Sequence, residues 1–432
     1  VRLLIRGAAV LTMEEPHFLI PEGDIVIEGQ RIAHVGPVGS APQEGFTRVI
    51  EARHMVAMPG LVNCHTHAAM TLFRGYADDM PLMPWLEEKI WPAEARLEPE
   101  DVYWGTMLAC LEMIRSGTTC FADMYFHMDE VARAVEEAGL RASLCRGLIG
   151  VAPGAREALA DGCRFAREWQ GAAGGRITTM LGPHAPYTCP PDYLKEVMEA
   201  AAELGVGIHI HLAETQGEVE ECRRRYGKSP VALMEELGLF RLPVLAAHCV
   251  HLTEEDIRIL AARKAGVAHN PQSNMKLASG IAPVARLLAA GAVVGLGTDG
   301  AASNNNLDMM EEMRSAALLQ KVATMDPTSL PAPVALSMAT VNGARALGLE
   351  EVGLLKSGYK ADIILINLER PHLYPRHDLA AHLVYAAGSA DVEAVIVDGR
   401  VLMEKGEVLT VDRERVFYEV SRRARRLTGG GA

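Results

Sequence analysis

The run GVGIHIHLAE, residues 205–214, carries the reading of the fold. Side chains of a β-strand alternate between its two faces, so Ile208, Ile210 and Leu212 share one side and His209 and His211 the other. A strand that offers aliphatic groups to one layer and imidazoles to the opposite one suits the wall of a barrel, with helices outside and chemistry inside. His211 lies nearer the C-terminal end, and Glu214 follows on the turn.

Seven further runs have comparable texture: LVNCHTH (61–67), TTCFAD (118–123), RASLCRGL (141–148), RITTMLGPH (176–184), PVLAAHCVH (243–251), GVAHNP (266–271) and AVVGLGTD (292–299). Amphipathic stretches such as PDYLKEVMEAAAELG (191–205) and EEDIRILAARKAG (254–266) lie between them. Strands alternating with helices argue for a parallel sheet, and eight such units over residues 59–357 argue for a (β/α)8 TIM-type barrel. An open doubly wound sheet is the rival, but no G-x-G-x-x-G follows the first strand. Residues 1–58 and 358–432 read instead as short strands and tight turns, including the Asp398-Gly399 pair. The expectation is a small β-sandwich domain built from both chain ends, with a helix near 412–427 and a frayed tail, TGGGA (428–432).

Composition excludes several classes. Apolar residues make up 49% and charged residues 22%, ordinary globular values for a chain of 432 residues. The net charge of −13 disfavours nucleic acid, and the basic runs Arg223–Arg225 and Arg422–Arg426 read as solvated helix faces. No stretch approaches the length of a spanning helix; LLAAGAVVGLGT (287–298) comes nearest and is broken by glycines. Eight scattered cysteines with no C-x-x-C, behind an N-terminus with no long apolar leader, fit a reduced cytoplasmic protein with no membrane association.

Nearly every strand-like run ends on a chemically capable residue: His67, Asp123, His184, Glu214, His248 or His251, Asn270 and Asp299. In a (β/α)8 barrel these ends converge on one mouth, where active sites sit. His65 and His67 face the same way and together suit one divalent metal, with His211 the preferred third ligand. His209 lies one layer deeper, as a core or supporting residue. Asp299 can coordinate metal and accept a proton, and Glu214 is placed as a proton carrier. His248 lies within its strand run and is the better mouth candidate, since His251 can begin the following loop.

The stretches PGLVNCHTHAAMTLFRG, GPHAPYTC, IHLAET, AAHCVHL, HNPQSNMKLASGIAPV and LGTDGAASNNNLDM occur in the order seen in the amidohydrolase superfamily. The chain resembles that superfamily along essentially its whole length, and within it the 5-methylthioadenosine/S-adenosylhomocysteine deaminases. The resemblance implies a mononuclear site with His65, His67, His211 and Asp299 as ligands, zinc as the ion, and iron or manganese as alternatives. Binuclear relatives carry a carboxylated lysine at the fourth strand end, where this chain has His184. The implied reaction is hydrolytic deamination of the adenine ring of 5'-thio-substituted adenosines, with His248 bonded to the attacking oxygen. Another nitrogen heterocycle (guanine, a pterin or an s-triazine) is the alternative substrate.

By the same resemblance Trp85, with Trp91 nearby, packs on the nucleoside, and Glu94 grips the ribose hydroxyls. His184 and Ser303 would bond the substrate, while Arg146, and Arg156 on a loop of different length, would meet a homocysteine carboxylate. The implied partners are a small-molecule nucleoside and, as a homo-oligomer, further copies of the chain.

Overall fold

The computed structural model describes residues 2–15, 18–42 and 44–429. The N-terminal strands are β1 (Arg2–Leu11), β2 (Leu19–Glu28), β3 (Arg31–Pro37), β4 (Arg48–Glu51) and β5 (Met55–Pro59). The eight strand-like runs of the middle segment all become strands: β6 (Leu61–Thr66), β7 (Thr118–Tyr125), β8 (Arg141–Leu148), β9 (Ile177–Pro183), β10 (Gly207–Leu212), β11 (Val244–His248), β12 (Gly266–His269) and β13 (Val293–Leu296). The C-terminal strands are β14 (Ile363–Asn367), β15 (Val392–Val397), β16 (Arg400–Glu404) and β17 (Glu407–Val408).

Strands β6 to β13 pair in sequence order as one parallel eight-stranded sheet. The Asp299 N–H donates to the His65 carbonyl at 2.9 Å and links the last strand end to the first, nearly closing the barrel. The approach there is close enough to demand glycine. A Cβ at Gly297 would lie 2.5 Å from Asn270 Oδ1 and 2.8 Å from the His65 nitrogen. The aliphatic face of β10 (Ile208, Ile210, Leu212) joins the main core with the surrounding helices, as its alternation requires.

Both chain ends enter one mixed sheet of order β17-β16-β15-β14-β5-β1-β2-β3, with β4 beside β1. Antiparallel pairing of β14 with β5 makes the join. Alternation divides its faces: Val56, Met58, Ile364 and Ile366 enter the main core, whereas Ala57, Ile363, Leu365 and Ile396 pack with Ile5, Ile25 and Ile27 in a second one. The barrel and this sheet are thus joined by a buried apolar layer.

A buried ion network adds to that junction. Arg141, at the start of β8, meets Asp362 at 2.7 Å and Asp398 at 3.0 Å. Removing one member of such a group strands a charge in a low-dielectric interior, which costs about 3–5 kcal/mol. Asp362→Ala is expected to lose stability on that scale in chemical denaturation, and a loss below about 1 kcal/mol, the level of a surface pair, would contradict it.

The C-terminal helix forms as Arg413–Thr428, and Gly430–Ala432 of the expected tail lie outside the described residues. Its basic run is not wholly solvated. Arg423 is buried, with Nη1 3.1 Å from Asp101 Oδ1 and Nη2 2.8 Å from Glu100 Oε2 on helix Pro99–Arg115. No helix among the described residues is long and apolar enough to cross a membrane.

Candidate active site

The strand ends surround a cavity of about 320 Å3. His67, His184, His211, Glu214, His248 and Asp299 line its floor, and His65 is fully buried. Asp299 Oδ1 lies 3.4 Å from His65 Nε2 and 3.3 Å from His67 Nε2. The Nε2 atoms of His67 and His211 are 3.3 Å apart.

Hydrogen bonds on the far side of each ring fix which nitrogen is free. His67 Nδ1 is 2.6 Å from the Met124 carbonyl and His211 Nδ1 is 2.7 Å from the His184 carbonyl. A carbonyl only accepts, so both Nδ1 atoms carry protons and both Nε2 lone pairs face the cavity. His65 Nδ1 is 2.8 Å from His209 Nε2, while its own Nε2 makes no hydrogen bond. Burial lowers the His65 imidazole to about 4 and His211 well below its ordinary value, so both stay neutral. Neutral lone pairs and one carboxylate, all converging, are the donor set of a divalent cation. Among the described residues two overlapping groups could hold one: His65, His67 and His211, and His65, His248 and Asp299.

Asp299 Oδ2 accepts from Ser273 Oγ at 2.7 Å and Ser303 Oγ at 2.8 Å, which fixes the carboxylate's orientation. Glu214 Oε2 is 3.9 Å from His248 Nε2. Burial raises the Glu214 carboxyl against the pull of His248. Burial lowers His248, but the Glu214 and Asp299 carboxylates more than reverse this. The Nδ1 of His248 is 2.8 Å from Asn274 Oδ1. His248 pairs in the sheet with Leu212, whose side chain belongs to the helix-side core. A left-handed backbone (φ 72°) re-aims it into the cavity.

The outer wall is apolar, with Leu82, Trp85, Leu86, Ile90 and Trp91 on one side and Ile149 and Val151 on another. Glu94 lies among them and accepts from Tyr125 Oη at 2.7 Å, with burial pushing its carboxyl up to about 7. Trp85, Glu94, His184 and Ser303 therefore all reach the cavity. Arg146 and Arg156 do not. The Arg146 Cβ lies against helix Ala155–Trp169, near Gly162, and its guanidinium meets Asp161 at 3.0 Å. Arg156 is exposed and pairs with Glu196 at 3.1 Å. Asp123, another strand-end residue, accepts from Thr66 Oγ1 and the Ala68 N–H and supports the His65–His67 turn from behind.

Sequence reasoning missed Tyr125, Ser273 and Asn274. Tyr125 carried a signal, since it lies two positions beyond Asp123 on the same strand, and the other two lie within the stretch HNPQSNMKLASGIAPV. Residues 56–402 match the amidohydrolase family. The chain belongs to that family. It is 65% identical over 427 residues to a 5-methylthioadenosine/S-adenosylhomocysteine deaminase of Pelotomaculum thermopropionicum, covering 98% of each chain. It is 63% identical over 429 residues to a protein of the same description from Desulforudis audaxviator, covering 99% of each. Among solved amidohydrolase-like structures it is similar to an adenosine deaminase from Xanthomonas campestris with bound zinc, at 36% identity and a TM-score of 0.95, covering 99% of this chain and 98% of that one. An atrazine chlorohydrolase from Arthrobacter aurescens complexed with zinc superposes at 26% identity and a TM-score of 0.91, covering 98% and 100%.

Proposed function

We propose that this amidohydrolase deaminates the adenine ring of 5'-thio-substituted adenosines, 5-methylthioadenosine and S-adenosylhomocysteine, to the inosine analogue and ammonia. What carries the reading is the pairing of Glu214 with His248 beside the His/Asp cage, 3.9 Å apart at the floor of a nucleoside-sized cavity. Relatives at 55–65% identity described as deaminases of these two nucleosides support it.

His65, His67, His211 and Asp299 would hold the divalent ion, and the imidazole-rich donor set suits zinc. When bound, such an ion supplies Lewis acidity that makes a water-derived nucleophile available at neutral pH. Asp299 takes the proton released as the nucleophile adds to C6 of the purine. His248, held by Asn274, donates a hydrogen bond to the attacking oxygen. Glu214, with its carboxyl raised by burial, delivers a proton to the adjacent ring nitrogen, so the charge displaced by the attack does not build up in the ring. The proton taken by Asp299 then passes to the exocyclic amine, which leaves as ammonia, while the C6 hydroxyl returns a proton to Glu214 as the carbonyl forms. Ester or amide hydrolysis needs no such protonation of a ring, which is why Glu214 narrows the chemistry.

Trp85 packs on the nucleoside, Glu94, oriented by Tyr125, accepts from the ribose hydroxyls, and His184 and Ser303 bond the substrate. Free bases lack the ribose that Glu94 would meet. The cysteines, all buried and unpaired, fit a reducing cytoplasm.

The decisive assay follows the ultraviolet change from adenine to hypoxanthine chromophore with methylthioadenosine, S-adenosylhomocysteine and adenosine, with guanine as control. Turnover of guanine alone would reject the proposal. Among the described residues the cavity lining contains no lysine or arginine, so a homocysteine carboxylate finds no fixed partner there. A charged hydrogen bond contributes about 1.5–3 kcal/mol, so kcat/KM is expected to favour methylthioadenosine over S-adenosylhomocysteine by at least about tenfold. Arg146→Met should leave that ratio unchanged. A selective loss of S-adenosylhomocysteine turnover in this variant would show that the guanidinium leaves Asp161 for the substrate.

A further inference from the structure

The segment Thr215-Gln-Gly-Glu218 has the pattern of a helix capping box, in which the glutamate would reach back to the amide of the capping threonine. Half of that box forms, since Thr215 Oγ1 accepts from the Glu218 N–H at 3.2 Å at the start of helix Gln216–Tyr226. The Glu218 carboxylate, however, reaches further back. Oε1 accepts from the Ala213 N–H at 3.1 Å and Oε2 from the Glu214 N–H at 2.8 Å. Ala213 has φ 52°, a left-handed backbone that alanine seldom adopts.

This turn directs the chain out of β10 and places Glu214 on the cavity floor. It is also tied to the segment that follows His248. The Ala213 carbonyl accepts from the N–H groups of Val250 at 3.0 Å and His251 at 2.9 Å, and the Leu212 carbonyl accepts from Cys249 at 3.0 Å. Glu218 itself is buried and does not line the cavity.

We infer that Glu218 is a positioning residue: its two carboxylate oxygens hold the 213–214 amides so that Glu214 stands beside His248 at the reacting ring. The inference rests on the reading of Glu214 as the proton carrier. Two acceptor atoms on a side chain of this length are required. Glutamine offers one acceptor and turns an amide donor towards the other N–H, while aspartate is one methylene too short.

The test measures kcat, KM and bound metal per chain for Glu218→Gln and Glu218→Asp with methylthioadenosine, alone and in a Glu214→Gln background. Displacing a reacting group by an ångström costs up to roughly a hundredfold, so kcat is expected to fall by roughly tenfold to a hundredfold in both single variants. KM should stay within about twofold, because substrate binding is untouched, and metal content should not change. In the Glu214→Gln background a second substitution should cost nothing further, since the group being positioned is gone. Wild-type kcat in Glu218→Gln would overturn the inference, as would a full additional loss in the Glu214→Gln background. Failure of both variants to fold with metal bound would overturn it in favour of a purely architectural role. An active Glu214→Gln protein would instead reject the underlying assignment of Glu214, whatever the Glu218 variants do.

Discussion

Glu214→Gln is expected to lower kcat for methylthioadenosine by roughly 10²–10⁴-fold, the range in which a positioned acid–base group contributes. Glutamine has the shape of glutamate, so the turn held by Glu218 and the cavity floor should persist. What it lacks is a transferable proton. Glu214 is not among the residues grouped closely enough to share an ion, so metal content should stay at the wild-type level. Elemental analysis and the hypoxanthine absorbance assay on the same sample separate the two effects. Near-normal turnover would reject Glu214 as the proton carrier. Loss of metal together with activity would show that the carboxylate supports the cage and not the ring.

Asp299→Ala is expected to remove both metal and turnover, with a drop on the order of 10⁴-fold or more, as for groups on which a whole catalytic unit depends. Asp299 supplies the one carboxylate among the two overlapping groups, and its Oδ1 faces the Nε2 atoms of His65 and His67. Without it the imidazoles would have to hold a dication with no compensating charge. Wild-type protein stripped by a chelator provides the comparison. Adding zinc to it should restore activity and also raise the melting temperature, because a ligand that binds only the folded state adds about 2.7 kcal/mol at a hundred times its Kd. The Asp299→Ala protein should show neither response. A zinc-dependent rise in its melting temperature would mean that the three histidines bind the ion unaided.

Much of the barrel and its cage was legible because strand alternation is a local property. His209 and His211 had to leave β10 on the face opposite Ile208, Ile210 and Leu212 whatever the rest of the chain did. His65, His67 and Asp299 stood at the ends of runs that a parallel barrel necessarily gathers at one mouth. Arg146 illustrates the limit. It sits at the end of β8, where proximity to the mouth suggested a carboxylate partner, yet its Cβ lies against a helix and its charge is taken by Asp161. Arg423 shows the same thing on a helix, where a basic run that looked solvated had a buried member waiting for Asp101.

The order of strands and the joining of the two chain ends follow from periodicity, and the residues proposed for the cage from residue chemistry, which act over a few positions and can be read without coordinates. Contacts between distant segments follow from packing. The left-handed turns at Ala213 and His248, the Tyr125–Glu94 bond, the serines on Asp299 and the reach of Glu218 beyond its own cap each depend on where two elements come to rest against each other. A residue's type and spacing specify what it can do. Only the folded barrel, by bringing strand ends together and burying them, decides what each one meets and which of its atoms is left free to react.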